Sequence, residues 1–139
     1  MLNPGINRYK TVQVRTSSPS ELLTMLFDGC FRFMNEGLAA MELGNRPRAA
    51  ERLDRAYAIM SEFAATLKHD VWPDLCQNLD GIYTFCMSQL VQANIEQNPQ
   101  KVRDVIRVLE PLRDAFKEAA RQVISGEAKL EAHAGAAKR

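Results

Sequence analysis

The residues best equipped for chemistry in this chain are two histidines, three cysteines and the carboxylates of its helical stretches. Their spacing assembles no reaction centre. His69 and His133 fall in a connection and in the C-terminal stretch, and neither has a partner three or four residues away that would complete a metal site. Dinuclear carboxylate bundles need Glu-x-x-His pairs facing inward. Here Glu62 is followed at that spacing by Ala65, Glu96 by Pro99 and Glu118 by Arg121. Cys30, Cys76 and Cys86 form no Cys-x-x-Cys, and their odd number suggests no disulfide framework. Each sits in an apolar helical pattern, where a free thiol packs as a small hydrophobe. Ser61, Ser88 and Cys86 have no histidine on their own helical face, so no nucleophile has its base. No glycine-rich phosphate loop occurs. The chain reads as a non-enzyme without cofactor or metal.

Composition narrows the field further. The 139 residues suffice for one domain with its own core. Hydrophobic content of 46% beside 25% charged residues is that of a globular protein. Lys and Arg number 18 against 17 Asp and Glu, a net charge of +1. Arg103, Arg107, Arg113, Lys117 and Arg121 alternate with Asp104, Asp114 and Glu118, a solvated helix face rather than the basic stripe of a nucleic-acid binder. The first twenty residues carry Asn3, Pro4, Arg8, Lys10 and Arg15 and no apolar core of a signal peptide. No run of about 18 apolar residues offers a membrane span. The expected location is the cytosol.

The elements that must position any site are helical. Residues 1–17 form an arm, with Ile6 and Tyr9 three apart so that one helical turn would set both on one side; Leu2, Val12 and Val14 add further apolar positions. Ser18-Pro19-Ser20-Glu21 supplies an N-cap, a proline at the first helical position and a capping-box carboxylate. The first helix then runs to about Leu43, where Gly44-Asn45 ends it. Its apolar arc takes in Leu22, Leu23, Leu26, Phe27, Cys30, Phe31, Phe33, Met34, Leu38 and Met41. The second helix, expected from Pro47 to Lys68, carries Ala49, Leu53, Ala56, Met60, Phe63 and Leu67 at alternating spacings of four and three, widened by Tyr57 and Ala64. Pro73 opens the third helix, and Asn98-Pro99 separates it from the fourth, with Asn98 as N-cap. The fourth repeats the spacing through Val102, Val105, Leu109, Leu112, Phe116, Ala119 and Val123. Pro111 within it predicts a kink or break near Arg107–Glu110. Residues 126–139 lack a strong apolar stripe and read as a frayed or disordered tail. The fold class is all-α: an antiparallel up-and-down four-helix bundle over 18–125, preceded by the arm.

The third helix is more apolar than such a bundle requires. Winding it at about 100° per residue gives a core stripe of Leu75, Leu79, Ile82, Cys86, Leu90 and Ala93. Beside it runs a second stripe of Cys76, Tyr83, Met87 and Val91, with Asn94 near its end, Asp80 within it and Phe85 on the other flank. The two stripes span roughly 180°, against about 100° for an ordinary surface helix. An apolar face the fold does not bury awaits a partner, the chain's own arm, or self-association.

An ordered series of short motifs resembles the flagellar secretion chaperone family, FliS. It begins with Tyr9-Lys10-Thr11-Val12-Gln13-Val14, then Thr16-Ser17-Ser18-Pro19, Leu22-Leu23 and Met25-Leu26-Phe27-Asp28-Gly29. It continues with Ile59-Met60-Ser61-Glu62-Phe63, Asn78-Leu79 with Tyr83, Leu90-Val91-Gln92-Ala93-Asn94 and Leu112-Arg113-Asp114-Ala115-Phe116. Ser17, Phe27 and Phe116 stand where the family usually has Ala, Tyr and Trp, the last substitution dropping an indole donor. The resemblance covers roughly residues 6–120. It implies a helical bundle that binds the C-terminal segment of flagellin in hydrophobic grooves, holds it unpolymerised, and docks the loaded client at the export gate in the inner membrane. It further implies that the arm, through Ile6 and Tyr9, covers the client groove and takes part in docking.

The client-binding residues expected on this reading are Ile6, Tyr9 and Val12 of the arm with Cys76, Leu79, Tyr83, Met87, Leu90, Val91 and Asn94 of the third helix. The protein would be a monomer or weak homodimer, with no nucleic-acid partner. The competing expectation is a homodimeric structural bundle whose surplus stripe is a self-association surface.

Overall fold

The computed structural model describes residues 19–137, with side chains placed for 19–123. Four helices are present: α1 (Pro19–Glu42), α2 (Arg46–Ala65), α3 (Pro73–Glu96) and α4 (Pro99–Ala137), with no strand among the described residues. The arm, with Ile6, Tyr9 and Val12, and the expected cap at Ser18 lie outside the described residues. Two compact units can be described separately, one of residues 26–112 and one joining 19–25 to 113–137.

Within residues 26–112, sequence signals set the helix ends. At the close of α1, Gly44 takes φ +71°, a region a side chain enters only with strain. The Gly44 N–H donates to the Met41 carbonyl at 3.0 Å and the Asn45 N–H to the Ala40 carbonyl at 2.8 Å, the Schellman closure. Asn45 then caps α2, its side-chain oxygen accepting from the Arg48 N–H at 3.2 Å. Gln97 adopts φ 51° after α3, and the Asn98 side chain accepts from the Gln100 N–H at 3.0 Å to start α4, as expected of that residue.

The cross-helix contacts fix direction. Phe27 stacks on Phe63 with ring centroids 4.5 Å apart, and the Cys30 thiol donates to the Ala56 carbonyl at 3.7 Å. Further along, Gly37 of α1 meets Leu53 of α2 so closely that a Cβ there would lie 2.8 Å from Leu53 Cδ2. Numbers rise along one helix as they fall along the other, so α1 and α2 are antiparallel. Phe63 in turn packs on Tyr83 of α3 at 5.6 Å. Phe27, Met34, Met60, Leu90, Val102, Val105 and Leu109 are wholly buried, so all four helices feed one core. The α2 seam is the one the spacing predicted, except that Leu67, beyond the helix end, is half-buried.

Outside α1 and α2 two expectations shift. The helix α4 passes through Pro111 without the break that was one of the two expected outcomes there. Arg107 and Pro111 are both exposed, so the carbonyl that proline leaves without a partner has access to water. The backbone also stays helical to Ala137, past the point near residue 125 where a tail was expected. The alanines and charged residues there have high helix propensity and need no apolar stripe to form a helix.

In the unit of 19–25 and 113–137, the Thr24 hydroxyl donates to the Ser20 carbonyl at 3.1 Å. Leu22, Leu23 and Phe116 are half-buried. Ala120 is buried while Ala119 and Val123 are exposed, one residue out of phase with the stripe read from the sequence.

Candidate binding groove

The side of α3 that enters the core is rotated from the one the winding selected. The buried residues are Cys76, Leu79, Tyr83, Cys86, Leu90 and Ala93, at alternating spacings of three and four. Cys76 and Tyr83, expected on a surface, are 4% and 2% exposed, whereas Leu75, expected in the core, is 55% exposed and Ile82 is half-buried. Helix orientation follows the neighbours a residue can reach rather than apolarity alone: the Tyr83 ring is held by Phe63, whereas Leu75 lies in the first turn beside the α2–α3 connection. Leu79, another of the expected contact residues, is buried as well.

Part of the second stripe stays open. Val91 is 46% exposed, and Met87 and Asn94 are half-buried. They adjoin a groove of about 120 Å³ between α2 and α3, lined by Leu53, Asp54 and Tyr57 on one side and Leu90, Val91, Asn94 and Ile95 on the other. Leu53 and Leu90 are buried and form its floor, while Tyr57 at 39% and Ile95 at 73% form exposed apolar rims. Tyr57, Ile95 and Asp54 were not among the client-contact residues expected from sequence. Tyr57 reads as a widened seam until the gap beside it is visible, and Ile95 lies about 140° from the centre of the core face, where a helix winding expects polar residues. Its exposure as an isoleucine in that position was the signal available.

Polar groups around the groove are few. Gln97 Nε2 donates to the Asn94 carbonyl at 2.7 Å and lies 3.4 Å from Asn94 Oδ1, so the Asn94 amide N–H groups are left to donate elsewhere. The far flank of α2 differs. There Arg32, Arg52 and Arg55 gather on the Phe33 ring at 5.1, 5.9 and 5.7 Å. Glu36 and Glu51 pair with them, and the hydrogen bond from Arg55 holds the Glu51 carboxyl below the usual range.

The buried thiols and phenol of the described residues hold their protons tightly. Burial pushes Cys30 up to about 12 and Cys86 up to about 11, and Tyr83 up to about 12. These groups are therefore neutral near neutral pH. Among the described residues no group of three or more His, Cys, Asp or Glu is placed to hold a metal ion, and no helix is long and apolar enough to cross a membrane. What the α2–α3 groove can do is take the apolar face of an amphipathic segment, anchored at i, i+3 or i+4, and i+7.

Residues 1–123 match the model of a family described as "Flagellar protein FliS". The chain belongs to the FliS family. It is 33% identical over 116 residues to the flagellar secretion chaperone FliS of Vibrio cholerae, covering 81% of this chain and 85% of that one. To the protein of the same name in Bacillus subtilis it is 32% identical over 111 residues, covering 80% and 82%. To that of Campylobacter jejuni it is 29% identical over 116 residues, covering 84% and 91%. For this FliS-family chain the matched region includes both helices that line the groove.

Proposed function

We propose that this protein is a flagellar secretion chaperone that holds the C-terminal segment of flagellin in the α2–α3 groove. It keeps that segment unpolymerised in the cytosol and delivers it to the flagellar type III export apparatus, at the export gate protein of the inner membrane. It works by stoichiometric burial, with no ATP and no catalysis. The observation that carries this reading is the apolar groove itself, with Tyr57, Val91 and Ile95 left exposed around a buried floor. The relatives named as flagellar secretion chaperones support a client among secreted flagellar proteins. Val91, Asn94 and Met87 contact the client directly over a floor to which Leu90 contributes, whereas Cys76, Leu79 and Tyr83 pack the core side of the same helix. Ile6, Tyr9 and Val12 of the arm shield the groove until the client displaces them.

A client segment that folds on binding gives up about 2–5 kcal/mol of its gross interaction in ordering. The groove alone is small, so tight binding needs a client that wraps beyond it. Pull-down with full-length flagellin and with flagellin lacking its C-terminal segment tests the assignment. Capture of the full-length client and loss of the truncated one is the expected result; equal capture of both rules the assignment out. Sedimentation at two concentrations provides the contrast with the structural-bundle reading, since a stable dimer indifferent to flagellin would replace the chaperone by a self-associating scaffold.

A further inference from the structure

The charged residue that lines the groove is acidic, and few cations stand near it. Helix α3 contains no Lys or Arg, and its acids are Asp74, Asp80 and Glu96. Glu96 is occupied by Lys101, at 3.0 Å. Asp80 lies eleven residues before Val91, which returns it to the same helical face about 16 Å further along. On α2, Asp54 lines the groove directly and is exposed. Its helical neighbours at three and four residues are Ala50, Glu51, Tyr57 and Ala58, none of them cationic. Neither Asp54 nor Asp80 has a hydrogen-bonding or ionic partner among the described residues. The arginines nearest in sequence, Arg52 and Arg55, are drawn to the opposite flank of α2 by Phe33 and Glu51. Arg46, the remaining cation on the groove side of α2, stands two turns before Asp54.

We infer that Asp54 and Asp80 are specificity residues of the groove, selecting a client helix that carries Lys or Arg about three turns apart beside its apolar anchors. The inference rests on the flagellin-binding reading and adds the charge pattern the client must have. Leucine and valine contacts accept almost any apolar segment. Two unpaired carboxylates flanking them attract a cationic segment and repel an acidic one, which acts on association and partner choice more than on total affinity. Asp54 is exposed at the rim of the groove, and Asp80 is half-buried about three turns along the face of α3 that carries Val91.

The test is a titration of the full chain with the C-terminal segment of its cognate flagellin, at about 0.05 M and about 0.5 M salt, bracketing strong and weak screening. Asp54→Asn and Asp80→Asn are each expected to weaken binding about two- to fivefold at low salt, the size of an exposed ion pair, and to match wild type at high salt. Replacing the paired Lys or Arg of the client by Gln should cost wild type the same factor and cost the matching Asn variant nothing further. Wild-type binding that is indifferent to salt, with both Asn variants equal to it, overturns the charge assignment while leaving the groove intact. Failure of wild type to bind at either salt overturns the flagellin reading, and the charge assignment falls with it.

Discussion

Cys30, Tyr83 and Cys86 are buried acids that the fold keeps uncharged, and this ties stability to alkaline pH. Their folded values lie at about 12, about 12 and about 11, raised from 9.0, 10.0 and 9.0 chiefly by burial. Each raised value means that the unfolded chain loses its proton first. The contribution to stability is whole below about pH 9 and is lost as pH rises toward 11 to 12, at roughly 1.4 kcal/mol per pH unit for each thiol. Urea unfolding should therefore give a clearly lower stability at about pH 10.5 than at about pH 8, and equal values would contradict the burial. The same residues carry a sharper mutational test. Tyr83→Glu puts a carboxylate in the core and should cost more than about 3 kcal/mol, collapsing the helical circular dichroism rather than sparing the fold. On the sequence-based winding that substitution would have been a surface change.

At the scale of elements, the helix junctions and the α1–α2 approach decide stability. Asn45→Ala removes the side-chain acceptor for the Arg48 N–H and should destabilise by about 1 kcal/mol in thermal unfolding. Gly37→Val drives two methyls into Leu53, which is buried and has little room to turn away, at a cost of about 2 kcal/mol. An unchanged melting temperature in either variant would refute the corresponding contact. The elements themselves were legible from spacing: Pro19, Pro73 and Pro99 preset the first-turn φ, Gly44 takes a left-handed φ and Asn98 supplies a cap. The α2 seam was legible because its apolar stripe is narrow and fits only one rotation. The α3 face was not, since a helix apolar over half its circumference has several equally good rotations, and Phe63 made the choice. Gly37 escaped notice because its packing role depends on a leucine sixteen residues away, which no local pattern encodes.

At the scale of the molecule, the proposed function would arise where the described residues leave the α2–α3 seam incompletely filled. Leu53 and Leu90 close the floor and Tyr57, Val91 and Ile95 stay at the rim, so on the proposed reading a client helix would bury apolar surface in the gap between them. Of the surface read from sequence, Met87, Val91 and Asn94 remain open, while Cys76, Leu79, Tyr83 and Leu90 are buried. The distinction separates variants that unfold the bundle from variants that only close it to its client. Calorimetric titration of the flagellin C-terminal segment into wild type and into Val91→Glu tests this most directly. Saturable binding to wild type and at least about tenfold weaker binding to a Val91→Glu chain of unchanged helicity is the predicted result. Equal affinity for the two would place the client somewhere other than this groove.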